Sequence, residues 1–132
     1  MEKKRELRTI AFFGTCPASS GKTLVSKRIN YPFQIKQIAA SFAPGVERLM
    51  RLEFWISPDD SAPTSKPLTG YNILTELGHV GYITGDDERK ELNIETSRYE
   101  RGYFLKVFAQ NFDTVEHTID CQVTIELIYE ED

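Results

Sequence analysis

The hydrophobic pattern is clearest at the C-terminal end of the chain, where apolar and polar residues alternate for about a dozen positions. One parity is apolar and reads Ile119, Cys121, Val123, Ile125, Leu127 and Tyr129. The other parity is mostly polar and reads Thr118, Asp120, Gln122, Thr124 and Glu126. A period of two predicts a β-strand with one face in a core and the other in water.

The stretch just before this strand alternates less cleanly. Tyr103, Leu105, Val107 and Ala109 share one face, whereas Phe104 and Phe108 flank Lys106 on the other. Between the two stretches lies Asn111-Phe112-Asp113-Thr114, a cluster of residues that favour turns. The pattern therefore predicts a long antiparallel hairpin from Gly102 to Tyr129.

Shorter periodic segments precede this hairpin and are separated by turn residues. They are Arg8–Thr15, Lys22–Ile29 (a strand or a short helix), Phe33–Phe42, Arg48–Ile56, Tyr71–Leu77 (a helical turn or a short strand), His79–Thr84 and Leu92–Thr96. The phase of Phe33–Phe42 changes near Gln37, which predicts a β-bulge, although a helical interpretation also fits. In Arg48–Ile56 the inward parity is Met50, Leu52, Phe54 and Ile56. Ser57–Gly70 contains three prolines and is predicted to be a long loop.

Seven or eight short strands with turns every 8 to 15 residues predict an all-β fold, an antiparallel β-sandwich of jelly-roll or immunoglobulin-like type. Residues 1–7 are predicted to form a flexible polar N-terminal arm, and residues 8–132 a single sandwich domain. The basic residues of that arm and the acidic C-terminal end are typical of solvated termini.

Composition narrows the function classes further. The chain has 132 residues, 27% of them charged, and its formal charge of -4 argues against a nucleic-acid partner. No apolar run approaches the roughly 20 residues of a membrane helix, and no signal peptide is visible, so we expect synthesis in the cytoplasm and no membrane partner. The two cysteines, Cys16 and Cys121, form no metal framework; a disulfide between them is possible.

One segment, GTCPASSGKT, resembles a phosphate-binding P-loop. Gly21-Lys22-Thr23 fits the end of that motif, but Cys16 stands where its first glycine belongs, and Gly14 comes two places too early. Pro32 follows too soon for the helix of several turns that such a lysine begins. We therefore expect Lys22 and Thr23 to open a strand, and keep a degenerate nucleotide-binding protein as the third functional alternative.

The other candidates for chemistry lack a recognisable spacing. Asp59-Asp60 and Asp86-Asp87-Glu88 supply oxygen atoms that calcium could use, yet neither matches a calcium loop. His79 and His117 accompany no nucleophile motif, and His117 is expected to be a hydrogen-bonded structural residue. We predict no catalytic residue, no metal and no cofactor, and therefore no enzyme.

Aromatic residues on the polar parity are the remaining signal. If Trp55, Phe104 and Phe108 point outward, the exposed apolar surface would be large for a monomer. They are therefore predicted to form an interface with other copies of the chain, as a trimer or larger assembly. A carbohydrate-stacking platform is the alternative.

The polar arm, the loop SPDDSAPTSKP and the closing strands GYFLKVFAQNFD and HTIDCQVTIELI together resemble small β-sandwich proteins of phage and virus particles. These are capsid decoration, head-fibre or tail-associated modules. The resemblance implies a non-enzymatic, oligomeric virion component that contacts other particle proteins. A carbohydrate-binding or adhesion module is the second functional alternative.

Overall fold

Eight strands and one helical turn make up the computed structural model, which describes residues 3–65 and 68–130. The strands are β1 (Lys3–Cys16), β2 (Gly21–Val25), β3 (Phe33–Phe42), β4 (Met50–Ser57), β5 (Tyr71–Asn72), β6 (Glu88–Asn93), β7 (Phe104–Asn111) and β8 (His117–Glu130). The helical turn is α1 (Ile73–Glu76). No helix in these two ranges has the length and apolar character needed to cross a membrane.

The strands form two antiparallel sheets of four. The first sheet has the order β1-β8-β3-β6 and the second sheet the order β2-β7-β4-β5. The predicted all-β sandwich is confirmed. Since each sheet interleaves early and late strands of the chain, the order is that of a jelly roll, one of the two predicted topologies.

Inward side chains of the two sheets face each other and form the core. The predicted inward set of β4, Met50, Leu52, Phe54 and Ile56, is at most 1% exposed. Opposite it lie Ile119, Cys121, Val123, Ile125 and Leu127 of β8, all at most 5% exposed. Burial of each large aliphatic or aromatic side chain contributes about 1.5–3 kcal/mol. The alternating pattern therefore identified the core correctly in both strands.

The predicted bulge in β3 is confirmed. The register of β3 against β8 shifts between Ile35 and Gln37, so that Lys36 is the extra residue. This shift keeps Ile35 and Ile38 both on the core face, where each is fully buried. An unbroken strand would turn one of them toward solvent.

The predicted C-terminal hairpin is wrong. Both of its strands exist, but β7 pairs with β2 and β4, whereas β8 pairs with β1 and β3. The connection from Phe112 to Glu116 crosses from one sheet to the other, so the apolar faces of the two strands pack against each other instead of lying side by side. The fully buried Asn111 fixes this crossover, because its Nδ2 donates to the carbonyls of Cys16, Pro17 and Val115.

The predicted flexible arm also requires a correction. The prediction covers residues 1–7, but the structure places residues 3–7 in β1, which pairs with β8 from Lys3 opposite Glu130 to Cys16 opposite His117. The backbone groups at the C-terminal end of β8 need hydrogen-bond partners, and residues 3–7 of β1 supply them. Met1 and Glu2 lie outside the described residues.

Candidate functional site

The predicted interface residues lie on the outer face of the second sheet, but that face is largely covered. Phe108 is fully buried, while Trp55 and Phe104 are half-buried. The Trp55 indole donates to Glu53 Oε1 at 3.1 Å. Parity predicted the direction of the three side chains correctly, but Phe108 is not a surface residue. Of the three rings, only those of Trp55 and Phe104 reach the surface in part.

The cover is provided by residues 58–65 and 68–70, here called the cover loop. Its Pro63 carbonyl accepts a hydrogen bond from Thr23 Oγ1 at 2.6 Å. A Cβ built on Gly21 would lie 2.6 Å from the Thr64 carbonyl oxygen and 2.8 Å from the Phe108 ring. The loop backbone, the ring and β2 are therefore in close contact, and residue 21 must be glycine for steric reasons.

Lys106 anchors the cover loop to the sheet. Its side chain is 0% exposed, and its Nζ donates to Asp59 Oδ1 at 2.8 Å, to Ser61 Oγ at 3.0 Å and to Thr69 Oγ1 at 3.5 Å. These contacts use all three ammonium protons. The Lys106 ammonium, assisted by Ser61 and Thr69, holds the pKa of Asp59 far below its ordinary value of 3.8. This lysine is therefore an anchor for the loop and is saturated as a donor.

The P-loop-like segment has a structural explanation. After the turn of residues 17–20, Gly21, Lys22 and Thr23 open β2 as predicted. No helix begins there, so the segment lacks the helix N-terminus that a P-loop offers to phosphates. The glycine that looked like part of the motif instead accommodates Phe108 and Thr64.

The remaining titratable candidates also have structural roles. His117 Nε2 lies 2.8 Å from Asp113 Oδ2, which confirms the hydrogen-bonded histidine, and this contact lowers the pKa of Asp113. Asp86 Oδ1 accepts from the backbone N–H groups of Gly45 and Glu47. Among the described residues, no group of three or more His, Cys, Asp or Glu side chains could hold a metal ion.

Both cysteines are buried and unpaired. Cys16 lies opposite His117, whereas Cys121 lies opposite Phe12, four residues earlier in β1. This spacing separates the two cysteines by about 13 Å, too far for a disulfide. Burial raises the pKa of Cys16, and that of Cys121 to about 12.

The longest edge strand in the described part of the molecule is β1, at one side of the first sheet. Within residues 3–65 and 68–130, this 14-residue strand pairs with β8 alone. Leu7 and Phe13 on its outer face are 63% and 75% exposed. Sequence reasoning missed this edge because the inward positions Lys4, Glu6 and Arg8 are all charged, so no apolar period of two is visible in residues 4–8. The length of β8 was the available signal, since a 14-residue strand needs a partner of similar length.

A cleft of about 340 Å³ opens between β1 and the segment that follows β2. Its floor is apolar and consists of Ile10, Ile29, Ile125 and Leu127. Three cations also line it, namely Arg8, Lys27 and Arg28. We call this the first cleft; it exposes part of the core beside β1.

The opposite edge of the same sheet has a comparable opening. In the part of the chain that the structure describes, β6 pairs with β3 alone. Beside it lies a second cleft of about 390 Å³, with apolar walls from Leu74, Val80, Ile83 and Leu92. Both edges of the first sheet are thus accessible strands next to apolar clefts.

Charges alternate in sign along both edges. On the inner face of β1, Arg8 lies 3.4 Å from Glu6, whose pKa is lowered by the Tyr129 hydroxyl and then by Arg8. On β6, Arg89 lies 3.1 Å from Glu91 on the outer face. Lys90 lies 3.9 Å from Glu88 on the inner face. These pairs are mostly exposed, so they contribute little to the stability of the isolated chain.

Comparison with known proteins identifies the fold and not a family. No protein-family model and no curated protein matches the sequence. Among solved structures, the chain is similar to one from Bacillus endospore appendages, described as a novel family of disulfide-linked pili. The TM-score is 0.52 at 10% sequence identity, over 98% of this chain and 93% of that chain. At this identity the similarity concerns the fold alone.

Proposed function

We propose that this chain is a non-enzymatic structural subunit that associates with copies of itself through the open edges of its first sheet. The single observation that carries the proposal is the exposed edge of β1, 14 residues long with Leu7 and Phe13 on its surface. Such an edge presents unpaired N–H and C=O groups, which pair readily with another strand. Natural sandwiches usually shorten or cover edges of this kind.

The state of the reactive side chains supports a role without catalysis. Lys106 is saturated by three acceptors, His117 is bonded to Asp113, and the two thiols are buried. These four side chains are therefore either engaged in holding the fold or buried within it. A site for catalysis needs such groups free and facing a common cavity.

The similarity to an appendage protein supports the same class of role. A repeating particle, whether an appendage or the virion suggested by the sequence, is built from small subunits that contact one another many times. Disulfide linkage, which describes the similar protein, does not extend to this proposal. The only two cysteines here are buried, so we propose assembly by noncovalent strand pairing, giving a trimer or larger species.

Sedimentation velocity over a concentration series tests the proposal. We expect the wild-type chain to form species larger than a dimer as concentration rises, and Leu7→Lys to shift this growth to higher concentrations. Edge lysines oppose strand pairing because they bring an unpaired charge to the contact. Tyr71→Lys is the matched control, since Tyr71 is 59% exposed on β5 at an edge of the second sheet.

We therefore expect Leu7→Lys to weaken association and Tyr71→Lys to leave it unchanged. Addition of a reductant should leave the wild-type profile unchanged. A wild-type chain that stays monomeric at every concentration would contradict the proposal.

A further inference from the structure

We propose that β1 of one copy pairs with β6 of the next copy, so that the first sheet continues from subunit to subunit. This inference rests on the proposed function and names the two surfaces that meet. It commits to a second copy of this chain as the occupant of the β1 edge. Three observations support it: the directions of the strands, the charges along them and the clefts beside them.

The strand directions allow the sheet to continue without rotation of the subunit. Each neighbouring pair in β1-β8-β3-β6 is antiparallel, so β1 and β6 run in opposite directions. A copy displaced sideways therefore places its β6 antiparallel to β1. The displacement also leaves the first sheets of the two copies facing their cores in the same direction. Inward residues of β1 therefore meet inward residues of β6.

The charges along the two strands select one register. Even-numbered residues point inward on both strands, as the partners of Val123 and Ile38 show. With Leu7 opposite Arg89 of the next copy, three oppositely charged pairs form along the strands. They are Arg5 with Glu91, Glu6 with Lys90, and Arg8 with Glu88.

The neighbouring registers that keep the same facing are worse. A shift of two residues in one direction places Lys4 opposite Lys90, Arg5 opposite Arg89 and Glu6 opposite Glu88. The opposite shift places Arg8 opposite Lys90. Like charges directly opposite each other destabilise a strand pair, whereas opposite charges stabilise it. A shift of one residue would place the inward residues of one strand opposite the outward residues of the other.

The first cleft suits the inward side chains of β6. In this register Glu88 of the next copy lies opposite Arg8, which lines the cleft together with Lys27 and Arg28. The sequence before Glu88 adds Asp86 and Asp87 to the acidic side of the contact. The acidic start of β6 thus meets the cationic cleft beside β1.

The contact is heterologous, because two different edges meet. Each copy that joins presents a new β1 and a new β6, so growth is open-ended. Pairing of β1 with β1 across a twofold axis is the main alternative. That arrangement would end at a dimer and leave β6 and the second cleft uncovered.

Cysteine cross-linking tests the register directly. The double variant Leu7→Cys with Arg89→Cys should form a ladder of disulfide-linked multimers on non-reducing gels after mild oxidation. These two positions lie on opposite edges of one four-stranded sheet, more than three strand spacings (about 14 Å) apart, so the bond cannot form within one copy. The native thiols are buried, and the wild-type chain should give no ladder.

Two further double variants serve as register controls. Arg5→Cys with Arg89→Cys and Thr9→Cys with Arg89→Cys place the thiols two residues out of register on the same face. We expect the ladder to be lost in both. A ladder in either control that equals that of the Leu7 variant would overturn the register.

Charge reversal provides an independent measurement. Arg5→Glu with Arg8→Glu should abolish association, and adding Glu88→Arg with Glu91→Arg to the same chain should restore it. Circular dichroism would show that each variant keeps its fold. Absence of rescue in folded protein would contradict the pairing.

The failure of this inference can be told apart from failure of the proposed function. If the wild-type chain assembles but Leu7→Cys alone forms cross-linked dimers, β1 pairs with itself and the inference is wrong while the function stands. If neither assembly nor cross-linking occurs under any condition, both are wrong.

Discussion

Substitution of Phe108 by alanine distinguishes a buried ring from an interface residue. The ring is 0% exposed and lies between β2 and the cover loop, where Gly21 leaves no space for a methyl group. A buried Phe→Ala change costs about 3–5 kcal/mol, depending on how far the surroundings relax. Because the cover loop can settle partly into the cavity, we expect a loss near the lower limit, about 3 kcal/mol.

The assay is urea unfolding at a protein concentration at which the chain is monomeric, since association would add to the apparent stability. Phe13→Ala is the matched control, as Phe13 also lies in a strand but is 75% exposed. We expect it to change the free energy of unfolding by less than about 1 kcal/mol. A loss below about 1 kcal/mol for Phe108→Ala, together with a weakened association, would refute the buried position.

Three further predictions concern the cover loop and the thiols. Gly21→Ala should destabilise the chain by about 1–3 kcal/mol through overpacking, whereas Gly14→Ala, whose Cβ would lie 3.4 Å from a leucine methyl group, should be nearly neutral in thermal unfolding. The folded-state pKa of Asp59 lies below 3.8, so its contribution to stability is present above that pH and is lost as the pH falls toward the folded-state value. Lys106→Met should therefore flatten the decline in stability below pH 4, measured by urea unfolding at several pH values. Both thiols should react slowly with a thiol reagent in the native protein, because both are buried and burial raises the pKa of each, that of Cys121 to about 12. Fast labelling of the folded chain would disprove their burial.

Periodicity predicted the fold class because each strand of a two-layer sandwich has one face in the core. Ile35 and Ile38, Met50 to Ile56 and Ile119 to Leu127 all follow this rule. It could not predict the partners of each strand. β7 and β8 satisfy the same pattern whether they form a hairpin or face each other across the core. The choice depends on Asn111, whose side-chain contacts join residues far apart in sequence.

The predicted exposure of Phe108 was wrong for a related reason. The direction of Phe108 follows from parity, but its burial depends on a loop that has no periodicity of its own. Lys106 between two phenylalanines was the visible sign, because a lysine on an apolar face needs an acceptor. Asp59, 47 residues away in sequence, supplies it.

The β1 edge was missed because its charges resemble those of a solvated arm. Arg5, Glu6 and Arg8 have the composition of a tail, yet each of them is paired with a residue of β8. Composition alone does not separate the two cases. The distinction comes from the length of β8, which extends to Glu130 and needs backbone partners there.

Hydrogen–deuterium exchange at low and high protein concentration tests edge pairing most directly. The account predicts that backbone amides of β1 and of β6 become protected together as concentration rises, while those of β5 at the edge of the second sheet exchange as before. Protection of β1 without β6, or no change at either edge in an assembled sample, would contradict it.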